Sequence, residues 1–163
     1  MERLWSPWRS EYIANSSPDK LRDSPCIFCE AQQDPAHDSE NTILYRGTYN
    51  FVILNRYPYI SGHLMIAPYA HVGDLSSAQK EVTDEMMDLV KRCQRALMEV
   101  YQPQGFNVGM NLGRVAGAGV ADHIHMHLLP RWGGDTNFMS TVGDTRVLPE
   151  DLQTTYRKLH GKI

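Results

Sequence analysis

Residues 122–132 read DHIHMHLLPRW. In this run His123, His125 and His127 alternate with Ile124, Met126 and Leu128. On an extended strand, side chains two apart share a face, so the three imidazoles point one way and the aliphatic residues enter the opposite layer. A lone histidine on a strand is ordinarily a hydrogen-bonded or solvent-facing ring. Three in strict alternation ask for chemistry. One metal ion does not satisfy all three: at about 3.3 Å of rise per residue, His123 and His127 lie roughly 13 Å apart. Metal bonds of about 2 Å would reach both only through a sharp bend. Separate tasks fit the spacing better. Imidazole titrates near neutrality and serves as nucleophile or general acid. Attack of a neutral ring nitrogen on phosphorus gives a covalent intermediate, splitting one hard displacement into two easier ones.

Immediately upstream, residues 111–120 read NLGRVAGAGV. Gly113, Gly117 and Gly119 let backbone amides turn toward an anion without a Cβ in the way, and Arg114 adds charge. Glycine loops also simply turn the chain. Beside a nucleophile, amide donors at Gly117 and Gly119 supply the electrostatic stabilisation that phosphoryl transfer requires.

Further out, TILYR (42–46) and NFVILN (50–55) flank Gly47-Thr48-Tyr49 and predict a hairpin, and HLMIAP (63–68) predicts a third strand. Val82, Met86, Leu89, Val90, Cys93, Leu97 and Tyr101 recur at helical spacing, predicting one long helix from about 78 to 101 that Pro103 and Gly105 end. FNVGMN (106–111) and HIHMHLL (123–129) follow as fourth and fifth strands, and PEDLQTTYRKLH (149–160) holds a closing helix. The expected fold is α+β: a mainly antiparallel five-stranded sheet with one long helix and a C-terminal helix. Residues 1–25 form an arm packed on a single domain, 26–163. Trp5 and Trp8 in that arm cover apolar surface or cap a pocket; Trp132 stacks on a base or packs at a subunit seam.

The bulk numbers narrow the classes. Of 163 residues, 42% are hydrophobic and 21% charged, with a net charge of -3 and no basic block, which argues against a nucleic-acid groove. The opening MERLWSPWRSEYI is neither a secretory signal nor a membrane span. Three cysteines make no disulfide framework, so a cytoplasmic setting is expected. Cys26-Ile27-Phe28-Cys29 has the C-x-x-C spacing of a zinc knuckle but supplies only half a site. A reduced thiol pair under the sheet is the alternative; a redox pair lacks the surrounding βαβ pattern.

The run His123-Ile124-His125-Met126-His127-Leu128-Leu129 resembles the signature of the histidine triad superfamily. NFVILNRYPYISGHLMIAP is similar to that family's nucleoside-holding segment, and NVGMNLGRVAGAGVADHIHMHLLPRWGGDTNF to its dinucleoside polyphosphate phosphorylases and hydrolases. The resemblance implies a homodimer that binds purine nucleotides, such as diadenosine tetraphosphate. It implies attack on the α-phosphorus by His125, with His127 contacting the phosphate and helping the leaving group depart. Asn55 matches the ribose-binding asparagine and Asn111 the polar residue beside the phosphate. Phe51 and Ile53 fall near the base, and His63 supports the triad from behind. It also implies a structural zinc, one per protomer, on Cys26, Cys29, His71 and His123. There is one departure: Gly119 stands where many hydrolases of the family carry a hydroxyl residue, so water and inorganic phosphate both remain open as acceptor. GGDTNF (133–138) either contacts distal groups of the substrate or is a surface turn.

Three functions therefore compete. The first is an enzyme cleaving a phosphoanhydride or related bond through a nucleotidyl-histidine. The second is a purine-nucleotide-binding module acting as a sensor or partner. The third, a histidine-metal oxygenase site, lacks a carboxylate ligand on the right strand face.

Overall fold

The computed structural model describes residues 25–136 and 148–163. Five strands, β1 (Ile43–Arg46), β2 (Asn50–Leu54), β3 (Leu64–Pro68), β4 (Gly105–Gly109) and β5 (Met126–Arg131), form one sheet in the order β1-β2-β3-β5-β4. Every neighbouring pair is antiparallel. Among the described residues four α-helices accompany it: α1 (Ile27–Ala31), α2 (Asp38–Asn41), α3 (Lys80–Tyr101) and α4 (Leu152–Leu159). The α+β architecture expected from the sequence is the one observed. Among the described residues no helix is long and apolar enough to cross a membrane. Trp5, Trp8 and the expected arm before residue 25 lie outside the described residues.

Alternation along the strands gives the sheet two apolar faces. Leu44, Val52, Leu54, Leu64, Ile66 and Leu128 pack against α3, which buries Val82, Met86, Leu89, Val90, Cys93, Ala96 and Leu97 on one side. Each such Val, Leu, Ile or Met side chain contributes about 1.5–3 kcal/mol of burial. The opposite face carries Ile43, Phe51, Ile53, Met65 and Ala67, covered by Phe28 from α1. His127 is the cross-strand partner of Met65 and so belongs to this second face.

The β1–β2 turn is tied to α3 by one carboxylate. Glu85 accepts the backbone N–H groups of Thr48, Tyr49 and Asn50 at 2.6–2.8 Å and the Asn50 amide at 2.8 Å. Gly47 is required there, since a Cβ would sit 2.9 Å from the Asn50 carbonyl and from Glu85 Oε1.

Several boundaries differ from the sequence reading. β5 begins at Met126, so His123, Ile124 and His125 precede the ladder. Ile124 N–H instead donates to the Val72 carbonyl at 2.8 Å, and the His123 ring takes the Pro68 carbonyl. The strand also runs through Pro130 to Arg131. The β3 ladder stops at Leu64 opposite Leu128, so the N–H that proline lacks is not needed on that side. The C-x-x-C segment is a short helix, and the polar stretch after it holds a 3-10 turn, Pro35–His37, capped by Asp34, and α2. Thr42, at φ 59°, ends α2 in the left-handed region, which delays β1 to Ile43.

Candidate active site and metal centre

The site lies where the extended approach to β5 crosses the end of β3. His125 is 6% exposed and its Nδ1 lies 2.9 Å from the His123 carbonyl. A carbonyl only accepts, so Nδ1 carries the proton and Nε2 of the neutral ring keeps its lone pair. Burial holds His125 below the ordinary histidine range, against the raising effect of that carbonyl. The ring is therefore a neutral imidazole with a bare Nε2, the form a nucleophile needs.

His127 is set the opposite way. Tyr59 N–H donates to His63 Nδ1 at 3.2 Å, leaving the proton of neutral His63 on Nε2. That Nε2 stands 2.9 Å from His127 Nδ1 and donates to it. His127 then carries its own proton on Nε2. Burial, then the charges of His127 and His125, bring His63 down to about 3. Burial and His125 bring His127 to about 4. The His125 and His127 rings meet edge to face at 4.9 Å. One acceptor nitrogen and one donor N–H thus occupy neighbouring rings, the pairing required to attack a centre and assist its leaving atom.

His123 faces a different group. Its Nε2–H donates to the Pro68 carbonyl at 2.8 Å, which frees Nδ1. Nδ1 is 3.3 Å from Cys26 Sγ and 3.6 Å from Cys29 Sγ, and His71 Nδ1 is 3.3 Å from Cys29 Sγ. All four donor atoms lie within 4.8 Å of one another. Tetrahedral zinc with ordinary bond lengths places sulfur and nitrogen about 3.6 Å apart, so these residues fit the ion. Burial and the adjacent Cys26 thiol raise the Cys29 thiol, a crowding that a cation would relieve. The carbonyl on which this ring's second nitrogen rests orients it, as metal-binding histidines require.

The other residues singled out in the sequence distribute as follows. Phe51 is fully buried and stacks on Tyr69 at 5.5 Å, and Ile53 is 8% exposed beside it. Asn55, just past β2, accepts Tyr57 N–H at 2.9 Å, and its amide nitrogen lies 3.4 Å from both His63 nitrogens. Asn111 donates to the Gly117 carbonyl at 3.4 Å across the glycine loop. Gly117 turns that loop at φ 92°, and its own N–H goes to the Arg114 carbonyl at 3.0 Å rather than toward an anion. Gly119 is exposed and its amide has no protein partner among the described residues. Trp132 is half-buried, edge-on to Tyr101 at 6.5 Å. Asp135, which pairs with Arg131 at 2.5 Å, holds the turn that follows.

Sequence reasoning missed two contributors. Tyr59 acts through its backbone N–H, which no side-chain pattern announces. Phe28 sits 4.9 Å from the His125 ring and 5.1 Å from the His123 ring. Its place inside the C-x-x-C was the available signal.

A neutral ring with a bare nitrogen, a donor ring beside it and a sulfur–nitrogen cluster under an antiparallel sheet define a histidine-centred protein. The HIT domain model matches residues 36–134, and the chain belongs to the HIT family. It is 38% identical over 163 residues to the AP-4-A phosphorylase of Mycobacterium tuberculosis, spanning 98% of this chain and 83% of that protein. It is 30% identical over 131 residues to Protein hit of Bacillus subtilis, spanning 78% and 87%. A zinc-bound histidine triad family protein from Mycobacterium smegmatis matches in structure with a TM-score of 0.66 at 28% identity, covering 84% of this chain and 91% of that one.

Proposed function

We propose that this protein is a dinucleoside polyphosphate phosphorylase acting on diadenosine tetraphosphate or a close relative. The observation that carries this reading is the 38% identity, over 98% of the chain, to a protein named as an AP-4-A phosphorylase. The imidazole geometry supports it. His125 Nε2 attacks the α-phosphorus and forms a P–N bond while the bond to the bridging oxygen breaks. ATP departs, and its new terminal oxygen takes the proton of His127 Nε2–H. An oxygen of inorganic phosphate then attacks the same phosphorus, the P–N bond breaks and ADP leaves. The proton of the incoming hydrogen phosphate returns to His127. The exposed amide of Gly119 donates to the transferred phosphate, with Asn111 beside it. Asn55 takes the ribose, and Ile53 lies toward the base with the fully buried Phe51 behind it. Gly119 brings no hydroxyl into the acceptor's space, which favours a second anion there over a hydroxyl-positioned water.

Zinc on Cys26, Cys29, His71 and His123 has four protein donors and is structural, with no open position for water. A homodimer is supported by β4, an edge strand whose Val108 is 48% exposed, with Leu112 at 45% in the adjoining loop.

The test is incubation with diadenosine tetraphosphate, with and without inorganic phosphate, followed by mass spectrometry of the products. ADP plus ATP, dependent on phosphate, is expected. AMP plus ATP would mean hydrolysis, and no product from this or AMP-amide substrates would leave a nucleotide-binding module. His125→Ala should abolish turnover and retain AMP binding.

A further inference from the structure

Phe28 stands between the sulfur–nitrogen cluster and the His125–His127 pair. It lies in α1 between Cys26 and Cys29 and is 2% exposed, so it offers almost no surface to a ligand. Its ring packs on the His123 ring at 5.1 Å and on the His125 ring at 4.9 Å, tilted 50° and 40°. His125 is therefore bounded by Phe28 on one side and by His127 at 4.9 Å on another, with Nδ1 pinned to the His123 carbonyl. The two ends of α1 are fastened differently. Its C-terminal end is held by polar bonds: Asn41 to the Ala31 carbonyl, Arg46 to the Gln32 carbonyl and the Gln32 amide to Tyr69. At its N-terminal end Cys26 provides no side-chain cap, and the two sulfurs converge on His71 and His123.

We infer that Phe28 is a positioning residue which transmits metal occupancy of the Cys26–Cys29–His71–His123 cluster to the nucleophile. With both sulfurs bound, the turn carrying Phe28 is fixed, and the aromatic ring holds the His125 imidazole in the orientation that keeps Nδ1 on the His123 carbonyl. Without the metal or without the ring, the imidazole gains room to rotate, and Nε2 no longer points reliably along one line. This inference rests on the assignment of His125 as nucleophile, but its structural half concerns only ring orientation.

The experiment is a two-by-two comparison of wild type and Phe28→Leu, each zinc-loaded and chelator-stripped. Two readouts are taken: the His125 tautomer, from ¹⁵N imidazole shifts at alkaline pH, and the rate of the first adenylyl transfer from diadenosine tetraphosphate. Loaded Phe28→Leu should keep its zinc and its AMP affinity. It should show mixed His125 tautomers and lose about tenfold or more in the transfer rate, the scale of a small misalignment. Stripping should produce the same change in wild type and little further change in Phe28→Leu, because the two perturbations share one route. Phe28→Tyr, which restores the ring, should recover the single tautomer. Independent, multiplying effects would overturn the inference, as would a wild-type tautomer in loaded Phe28→Leu. Weakened AMP binding with an undisturbed transfer rate would also overturn it, making Phe28 a pocket wall. If stripping unfolds the protein, partial zinc titration of the folded wild type takes its place: a His125 tautomer that does not follow occupancy overturns the inference, as does a wild-type tautomer in loaded Phe28→Leu. If wild type transfers no adenylyl group, the proposed function fails, and the tautomer readout still judges Phe28.

Discussion

His63 Nε2 lies 2.9 Å from His127 Nδ1, and the opposite nitrogen of His63 accepts the Tyr59 N–H at 3.2 Å. A backbone amide thus fixes, through one intervening ring, which nitrogen of His127 presents a proton to the site. His63→Leu removes the donor and leaves His127 free to take either tautomer. Turnover should fall by about tenfold to a hundredfold, within the range general acids contribute. His63→Gln places an amide N–H near the lost Nε2–H and should restore part of it. Steady-state kinetics on the two variants check this, and equal losses in both would show that His63 acts only by filling space.

Acidity should unfold the protein along a defined slope. Burial holds folded His63 at about 3 and His127 at about 4, below the ordinary 6.5 of an unfolded histidine. Between those limits the unfolded chain binds more protons, so stability is complete above about pH 6.5 and is lost as pH falls toward 3–4. Each proton taken up on unfolding contributes a slope of about 1.4 kcal/mol per pH unit. Urea unfolding across this range reads it directly, and His63→Gln should flatten the curve by one proton.

Zinc analysis after dialysis should return about one ion per protomer, as a closed four-ligand site requires. Cys26→Ser should lose the ion and melt at a lower temperature, since binding to the folded site is part of the folding free energy. A natively purified protein that is fully folded without metal, and whose melting does not respond to added zinc, would remove the site.

Glu85→Gln replaces one acceptor of the hairpin amides with a donor. Glu85 Oε1 takes Thr48 N–H, and Oε2 takes Tyr49 N–H, Asn50 N–H and the buried Asn50 amide, so neither orientation of glutamine serves all four. The expected loss is about 1–3 kcal/mol in urea unfolding. A change within error would show that water replaces the carboxylate.

What the sequence revealed follows physical scale. The short β-rich runs NFVILN and HLMIAP located β2 and β3, which are buried on both faces, and the spacing from Val82 to Leu97 located α3, because those helix residues do face one core. His123 and His125 were placed on a strand because alternation describes any extended backbone; only the end of the β3 ladder determines where pairing begins. The sulfur–nitrogen cluster spans residues 26 to 123, and C-x-x-C spacing identified only its local half. The tautomers of His125 and His127 were beyond reach, since carbonyls and amides of other residues set them. Phe28 was passed over because the C-x-x-C spacing ties it to the sulfurs but not to the distant His123 and His125 rings that it touches.

The strand order carries a consequence for biosynthesis. Among the described residues β4 pairs only with β5, and β5 enters between β3 and β4 after both have been made. A chain emerging from the ribosome can close the β1–β2–β3 meander and lay α3 across it, yet β4 stays without a sheet neighbour until residue 131 is free. The histidines arrive in the segment that completes the sheet, so a nascent chain gains its histidine cluster and its finished sheet in the same step, before α4 is made to close the core behind them.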